Sequence, residues 1–377
     1  MKEVVNPFEL FSYQGPKYFC DREDDVVKLN EAFQNRRNTV LSSMRRLGKT
    51  NLIMHWHHQL SKIKNTTPIY IDVLGTKNDN EFIEQFVVAV VKATSNKENF
   101  AQKLLSIFGR LRPQISLDPY SGSPQVSLDI HTNADKAATF DIALNLLSES
   151  KEQFQIAIDE FQVIETYEKP STIDAILRSH FPKLTNIHFL FCGSQQHMLS
   201  TIFSNPKRPM FSSTQHLTLD HIPYPAYFDF IKTHFEEHDM EISDQSIHEI
   251  LTWTQSHTFY THFLANEIFS KHVEKVTYEL VKNSEVDCIK LFAVNYEHLL
   301  STLPSNQTTL LKAIAVEKTN FSINEKAFLN KYNLSASSAS LALKGLLDKD
   351  FLIVKMNGNI KSYYIQDVFF SKYLEMQ

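Results

Sequence analysis

The sequence has few cysteines, and their spacing forms no known motif. Cys20, Cys192 and Cys288 are far apart in a chain of 377 residues, and their number is odd. This excludes a disulfide framework and a thiolate metal site, and it is typical of proteins in a reducing compartment. Long apolar runs are also missing, because the longest, Phe86 to Val91, is too short to span a bilayer. The first residues contain no apolar signal core, so we expect a cytoplasmic protein without a membrane partner.

Positive charge is scarce as well. The chain has 38 lysines and arginines against 43 acidic residues, which gives a net charge of −5. No arginine follows Arg208. Proteins that bind nucleic acid mainly through electrostatic attraction are usually basic, so this composition excludes a polycationic binder.

Histidine is abundant, with sixteen residues, and "MHWHHQL" places His55 and His58 one helical turn apart. The same segment contains a helical apolar stripe, formed by Leu52, Ile53, Trp56 and Leu60. The stripe predicts a buried helix face with the histidines on the outer faces. No carboxylate or cysteine lies nearby to complete a metal site, so we favour a structural role for them.

The first half of the chain alternates short apolar runs with helical patterns such as Asp79–Thr94. The four runs are Asn38–Ser43, Thr67–Gly75, Phe154–Glu160 and His188–Ser194. Short buried strands separated by helices predict an α/β fold, with a parallel sheet covered by helices on both faces.

Three further segments define the expected domains. Residues 113–130 read as a β-hairpin inserted into a core of residues 1–220. Helical patterns dominate residues 221–303, which we expect to form a helical lid domain. In residues 304–377, three short helices precede two strands joined at Asn357-Gly358, which is a strong hairpin signal. This order predicts a winged-helix domain.

The stretch "LSSMRRLGKTNLI" ends in Gly48-Lys49-Thr50, between a predicted strand and a predicted helix. In a phosphate-binding loop, main-chain N–H groups hold the phosphates, the lysine reaches the β and γ oxygens, and the hydroxyl binds Mg²⁺. Ser43 stands where the motif has its first glycine, and a small residue there requires a permissive φ. The candidate nucleotide-binding residues are Ser43, Arg45, Arg46, Leu47, Gly48, Lys49, Thr50 and Asn51.

The stretch "QIAIDEFQ" supplies the other half of such a site. Its apolar strand ends in Asp159 and Glu160. In P-loop enzymes an aspartate at this place holds Mg²⁺, and a following glutamate can accept the proton of the attacking water. We therefore expect Thr50 and Asp159 to hold Mg²⁺, and Lys49 and Glu160 to act on ATP.

These motifs resemble the archaeal-type P-loop ATPase family, on the AAA+/STAND side of these enzymes. The resemblance covers most of the chain, from "GPKYFCDREDDVVKL" through "SMRRLGKTNL", "AIDEFQ", "LRSHF", "FLFCGSQQHM" and "IFSNPKRPMF" to "QDVFFSKYL". It implies that Ser194 is a polar sensor of the γ-phosphate. It also implies that Arg178 and Arg208 sense the γ-phosphate, in the same chain or from a neighbour in an ATP-dependent homo-oligomer. The alternative for both arginines is a salt bridge between domains.

The sequence departs from the family pattern at Gln255–Phe263, which lacks the glycines and proline of a typical lid turn. The winged helix is also unusual for DNA binding: residues 304–377 hold nine lysines, six acids and no arginine, although guanine and minor-groove readout favour arginine. Ser335, Ser337 and Lys344 could still contact phosphates, so we expect weak or no sequence-specific DNA binding and an unknown protein partner. Two functions remain open: an Mg²⁺-dependent ATPase that acts as a conformational switch, and a non-catalytic DNA- or protein-binding adaptor that holds nucleotide structurally.

Overall fold

The computed structural model describes residues 5–94, 113–117, 124–128, 133–318, 322–323, 325–357 and 360–377. The chain divides into two compact units. The core unit is formed by Ser12–His221, and the C-terminal unit is formed by Met1–Phe11 together with Ile222–Gln377. The observed core therefore differs from the expected range of 1–220 at its N-terminus, because the first eleven residues belong to the C-terminal unit.

Seven strands are described in the core unit. They are β1 (Thr39–Ser43), β2 (Thr66–Asp72), β3 (Pro113–Leu117), β4 (Pro124–Leu128), β5 (Gln153–Asp159), β6 (Ile187–Gly193) and β7 (Gln215–Leu219). Five of them form one parallel sheet in the order β2-β5-β6-β1-β7. The four buried strands predicted from apolar runs are confirmed. The sequence patterns do not predict β7, because it is a half-exposed edge strand of only five residues.

The sheet is buried on both faces. In β1, Val40 belongs to one hydrophobic cluster and Leu41 to another, and in β6, Phe191 and Cys192 divide in the same way. Neighbouring side chains of a strand point to opposite faces, so these two strands each contribute to both clusters. This explains why the strands are continuous apolar runs in the sequence.

Six described helices of the core unit cover these faces. They are α1 (Glu23–Gln34), α2 (Lys49–Leu60), α3 (Asp79–Thr94), α4 (Asn133–Ser148), α5 (Ser171–His180) and α6 (Gln196–Phe203). The apolar stripe of α2 is fully buried, as predicted. The expectation that its histidines face outwards is wrong for His57, which is buried beside Gln155 of β5.

The strands β3 and β4 pair in antiparallel fashion, with Pro113 opposite Leu128 and Leu117 opposite Pro124. This is the pairing expected of the inserted hairpin. Its predicted turn, residues 118–123, and its last two positions, residues 129–130, lie outside the described residues.

The first part of the C-terminal unit is helical, as expected for residues 221–303. Its elements are α7 (Tyr224–Glu236), β8 (Glu241–Ile242), α8 (Asp244–Trp253), α9 (Thr258–Phe269), β9 (Lys275–Val276) and α10 (Tyr278–Ser301). Gln255 and Ser256, between α8 and α9, have φ values of 57° and 51°. These are left-handed conformations that favour glycine. The segment therefore makes a glycine-type turn without glycine, at the place where the family pattern is broken.

The N-terminal segment packs within this helical part. Phe8 is fully buried, and its ring centroid is 5.2 Å from Phe235, 6.1 Å from Phe230 and 6.1 Å from Phe269. Asn266 fixes the segment, because its Nδ2 donates to the carbonyl oxygen of Phe8 at 2.9 Å. Aromatic clusters of this kind bury a large apolar area, so this segment is an integral part of the C-terminal unit.

The chain ends in a winged helix, as predicted. Its elements are α11 (Ser305–Glu317), α12 (Lys326–Lys331), α13 (Ala336–Asp348), β10 (Leu352–Asn357), β11 (Ile360–Ile365) and α14 (Val368–Glu375). The strands β10 and β11 are antiparallel, with Asn357 opposite Ile360. The predicted hairpin turn includes Gly358, which lies outside the described residues.

No group of three or more histidine, cysteine, aspartate or glutamate side chains in the described part of the chain could hold a metal ion. No described helix is long and apolar enough to cross a membrane.

Candidate nucleotide site

The loop between β1 and α2 turns without a glycine at its start. Ser43 is the buried last residue of β1, and its Oγ donates to the carbonyl oxygen of Met44 at 2.9 Å. The left-handed positions come later, at Arg46 with φ 61° and Gly48 with φ 90°. The first position of this loop therefore needs no glycine, because the turn is made by Arg46 and Gly48 instead.

The loop leads directly into the N-terminus of α2. Gly48 is the N-cap residue, and no side chain caps this helix. Uncapped N–H groups and the helix dipole make such a terminus a favourable site for phosphate. Lys49 and Thr50 are the first two residues of α2, so both side chains start from this terminus.

Arg22 holds the loop from behind. This buried residue donates from Nη2 to the carbonyl oxygen of Leu47 at 3.1 Å and from Nη1 to that of Asp220 at 2.6 Å. Asp220 directly follows β7, so the guanidinium connects the phosphate-binding loop to the edge strand of the sheet. Asp25 lies 3.4 Å from Nη1 and partly balances the charge. The sequence identified Arg22 only as part of the N-terminal motif, since its loop contact depends on tertiary structure.

Lys49 lies between the two acidic residues at the end of β5. Its buried Nζ is 3.7 Å from Asp159 Oδ1 and 3.7 Å from Glu160 Oε1. The three groups meet because β1 and β5 are separated only by β6, so their carboxyl ends are close together. Ligand sites of open α/β sheets are found at this edge.

Asp159 is also bound by two hydroxyl groups. Thr50 Oγ1 donates to Asp159 Oδ2 at 2.7 Å, and the Tyr70 hydroxyl donates to the same oxygen at 3.0 Å. Burial raises the pKa of Tyr70, and the charge of Asp159 raises it further, so this phenol stays protonated as a donor. The structure thus brings together the two residues predicted to hold Mg²⁺. Tyr70 was missed, because a tyrosine inside a strand gives no functional signal.

Glu160 is oriented by two neighbours. Ser194 Oγ donates to Glu160 Oε2 at 3.1 Å, and Gln162 Nε2 donates to the same oxygen. Ser194 reaches this position because it follows β6, the strand between β1 and β5. Glu160 has a φ of 54°, and left-handed conformations of non-glycine residues are often found at functional sites.

Gln162 is a candidate functional residue that the sequence interpretation missed. It is buried, and its Oε1 has no hydrogen-bond partner in the described part of the chain. A Cβ atom built at Gly193 would overlap this oxygen, so glycine is required there to leave room for the amide. The position of Gln162 inside "AIDEFQ", two residues after Glu160, was the available signal.

Arg208 is not part of this cluster. Its Nε and Nη2 donate to Asp174 Oδ2 at 3.0 and 2.8 Å, and its Nη1 lies 2.6 Å from Glu165 Oε1. Asp174 is completely buried. All three residues belong to the core unit, so this ion pair is internal to one unit and differs from the interdomain salt bridge that was the alternative to a phosphate sensor.

Arg178 also lies away from Lys49. It is in the last turn of α5 and lines a pocket with residues that precede β1 and β7. The strands are parallel, so this is the amino edge of the sheet, whereas Lys49 is at the carboxyl edge. Crossing the five residues of β1 is a distance of about 16 Å at 3.3 Å per residue. The structure therefore does not bring Arg178 to the nucleotide site of its own chain.

Comparisons with known proteins agree with this architecture. The model of a probable winged helix domain matches residues 294–376. No curated protein matches the chain. The Walker-type ATPase PABY2304 of Pyrococcus abyssi has a similar structure, with a TM-score of 0.69 and 19% identity over 98% of this chain and 99% of that chain. The ORC1 protein of Aeropyrum pernix in complex with DNA has a TM-score of 0.52 and 12% identity, over 96% of this chain and 94% of that chain.

The ORC2 protein of Aeropyrum pernix, solved in ADPNP–ADP complexes, is similar at a TM-score of 0.52 and 12% identity, over 98% of this chain and 97% of that chain. At these identities the similarity shows the fold. The chain has the fold of a Walker-type P-loop ATPase followed by a winged helix, as the sequence resemblance predicted.

Proposed function

We propose that the protein binds ATP together with Mg²⁺ and hydrolyses it. The observation that carries this proposal is the position of Lys49, which starts the uncapped helix α2 and lies 3.7 Å from both Asp159 and Glu160. A phosphate chain at this terminus would meet main-chain N–H groups and the lysine together. The description of PABY2304 as a Walker-type ATPase and the nucleotide complexes of ORC2 support the same reading.

The residues present also fit Mg²⁺. Lys49, Asp159 and Glu160 together carry one net negative charge, so a phosphate chain needs a further cation to bind beside them. The hydroxyl of Thr50 and the carboxylate of Asp159 are 2.7 Å apart and offer the hard oxygen donors that Mg²⁺ prefers. We expect these two residues to hold the ion, which would neutralise charge on the β and γ phosphates when bound.

The hydrolytic role falls to Glu160. Ser194 and Gln162 hold one carboxylate oxygen, and Lys49 faces the other. When Lys49 exchanges its carboxylate contacts for phosphate oxygens, Oε1 becomes free to accept a proton from water. Ser194 directly follows β6, which lies between β1 and β5 in the sheet. From there its hydroxyl can sense the γ-phosphate, as the resemblance implies.

Two variants test binding and hydrolysis separately. Lys49→Ala should weaken MgATP binding in calorimetry, because it removes the cation that faces the β and γ phosphates. Glu160→Gln should keep ATP binding and lower turnover about 10²–10⁴-fold, because glutamine cannot accept the proton. Glu168→Gln, which neutralises an exposed carboxylate nearby, is the matched control. Unchanged ATP binding by Lys49→Ala would refute the assignment of the nucleotide site. Unchanged turnover by Glu160→Gln would refute the assignment of Glu160 as the general base.

We also propose that nucleotide binding switches the arrangement of the two units. The reasoning is that the γ-phosphate of ATP can engage Ser194 whereas ADP has no γ-phosphate, and a ligand shifts an equilibrium only by its differential affinity for the two states. Hydrogen exchange on the Glu160→Gln variant should differ between ATP and ADP in the C-terminal unit. Identical exchange with both nucleotides would favour the adaptor, in which nucleotide has a structural role only.

The surface of the winged helix favours a protein partner over specific DNA reading. In α13, Ala339, Ala342 and Leu346 are buried, whereas Leu341 is 69% exposed and Lys344 is the only cation within the helix. Ser335, a proposed phosphate contact, caps α13 and accepts from Ser338 N at 3.2 Å, which leaves its O–H to donate elsewhere. ORC1 was solved with DNA, but a helix with so little positive charge is expected to bind DNA weakly.

Selection from random duplexes at physiological salt tests this point. We expect no consensus sequence from the full chain with ATP. Recovery of a clear consensus that is lost in Lys344→Ala would show that α13 reads DNA and would make DNA binding the better proposal.

A further inference from the structure

A pocket of about 540 Å³ opens at the amino edge of the core sheet. Arg36 and Arg37 reach it from the segment before β1, Arg178 from the last turn of α5, and residues 212–215 from the start of β7 and the segment before it. All of these residues belong to the core unit. The pocket lies across the sheet from Lys49, so it is separate from the candidate nucleotide site.

The pocket concentrates positive charge in an acidic protein. Arg36, Arg37 and Arg178 are three of only nine arginines in a chain with net charge −5. No acidic residue lines the pocket. Within the described ranges, none of these three guanidinium groups forms an ion pair, in contrast to Arg22 and Arg208.

Unused hydrogen-bonding groups lie beside the arginines. Asn38 Oδ1 accepts from Phe189 N at 3.0 Å, which leaves its Nδ2 hydrogens for another acceptor. Thr214 Oγ1 and Gln215 Oε1 are buried atoms without a hydrogen-bond partner in the described chain. The Thr214 hydroxyl and the amides of Asn38 and Gln215 can all donate to an anion.

A simpler explanation accounts for each arginine singly. Arg36 and Arg37 follow the end of α1, Arg178 is in the last turn of α5, and cations stabilise helix C-termini. It does not account for their convergence on one pocket without a carboxylate, since neighbouring cations repel one another. It also leaves the buried hydroxyl of Thr214, which can donate to an anion, without a role.

We infer that this pocket binds a small ligand through two or more phosphate groups. Guanidinium groups bind phosphate through paired N–H donors, and three of them on two separate segments can engage two phosphate groups at once. The volume of about 540 Å³ is that of a small-molecule site. The inference is independent of the proposed hydrolysis at Glu160.

Calorimetric titration with inorganic tripolyphosphate tests the inference, with orthophosphate and a single-stranded oligothymidylate as the other probes. The full chain carries Lys49→Ala throughout, so that binding at α2 is suppressed. Arg36→Ala/Arg37→Ala and Arg178→Ala are compared with Lys62→Ala/Lys64→Ala. The control removes two exposed cations next to β2, at the opposite end of the same sheet edge.

We expect tripolyphosphate to bind more tightly than orthophosphate and the oligonucleotide. Each set of arginine substitutions should weaken it at least tenfold, which is about one lost charge-assisted contact. The lysine control should leave it unchanged. Arg178→Lys, which keeps the positive charge but loses the paired N–H donors of the guanidinium, should weaken binding by a smaller factor.

Three results would overturn the inference. One is equal weakening by the lysine control, which would mean unspecific attraction. Another is that the arginine variants lose thermal stability but bind tripolyphosphate as tightly as before. The arginines would then only stabilise the C-termini of the helices. The third is tighter binding of the oligonucleotide than of tripolyphosphate, since the pocket would then contact nucleic acid.

Discussion

Replacing Arg208 by alanine should destabilise the core unit rather than impair phosphate sensing. The guanidinium makes two hydrogen bonds to one oxygen of the fully buried Asp174 and an ion pair with Glu165. It also donates to the carbonyl oxygen of Pro170 at 3.2 Å. The substitution leaves the Asp174 carboxylate buried without a cation.

The expected loss of stability follows from this unpaired buried charge. Removing one partner of a buried ion pair costs about 3–5 kcal/mol, and a unit of this size shifts by about 2–4 °C per kcal/mol. Arg208→Ala should therefore melt about 6–20 °C below the wild type. Burial already raises the pKa of Asp174, and loss of Arg208 should raise it further. The carboxyl then stays protonated to higher pH in the folded variant, so the loss of stability should be smaller at pH 5 than at pH 8.

Thermal unfolding without nucleotide, at both pH values, is the measurement. Adding Asp174→Asn to Arg208→Ala should recover part of the lost stability, because it removes the unpaired charge. The opposite result would be that Arg208→Ala alone melts within 2 °C of the wild type (about 1 kcal/mol or less) but no longer distinguishes ATP from ADP. That result would refute the structural role and restore Arg208 as a sensor.

The other predictions concern the loop, the general base and the buried histidines. Gly193→Ala should displace Gln162 and lower turnover at least tenfold while calorimetric ATP affinity stays unchanged; unchanged turnover would contradict this role. Arg22→Ala should weaken ATP binding about tenfold, because it releases the phosphate-binding loop from β7. An unchanged affinity would show that this contact does not matter for binding. Burial lowers the pKa of both His57 and His188 to about 4. The unfolded chain binds these protons below about pH 6.5 and the folded chain does not, so each residue should cost about 2 kcal/mol of stability between pH 7 and pH 5, measured by urea unfolding.

The sheet was predictable because it is buried on both faces. Strands β5 and β6 are mostly apolar, with Gln155 and His188 as buried exceptions, and the polar residues at their ends mark where the strands stop. The contact of Ser194 with Glu160 agrees with the family pattern, since both residues follow central strands at one edge. By contrast, β7 is half exposed, so its residues alternate too briefly to be distinguished from a loop.

The positions of the two arginines were not predictable for a different reason. Arg178 and Arg208 lie in helical or loop segments whose direction depends on the packing of α5 and α6. A motif gives the order of residues along the chain, but it does not give the edge of the sheet that each one reaches. The same holds for Gln162, whose role depends on the space that Gly193 leaves on another strand.

The burial of Phe8 has a consequence for the order of folding during synthesis. The segment that carries it leaves the ribosome first, yet its partners Phe230, Phe235 and Phe269 follow only after the core unit of about 210 residues. At about 5–20 residues per second, this is a delay of about 10–40 s. During that time an apolar N-terminal segment is exposed beside a core unit that is already able to fold. This segment is therefore made before the core unit and reaches its place after it, and a chaperone that binds short apolar segments has its best opportunity there.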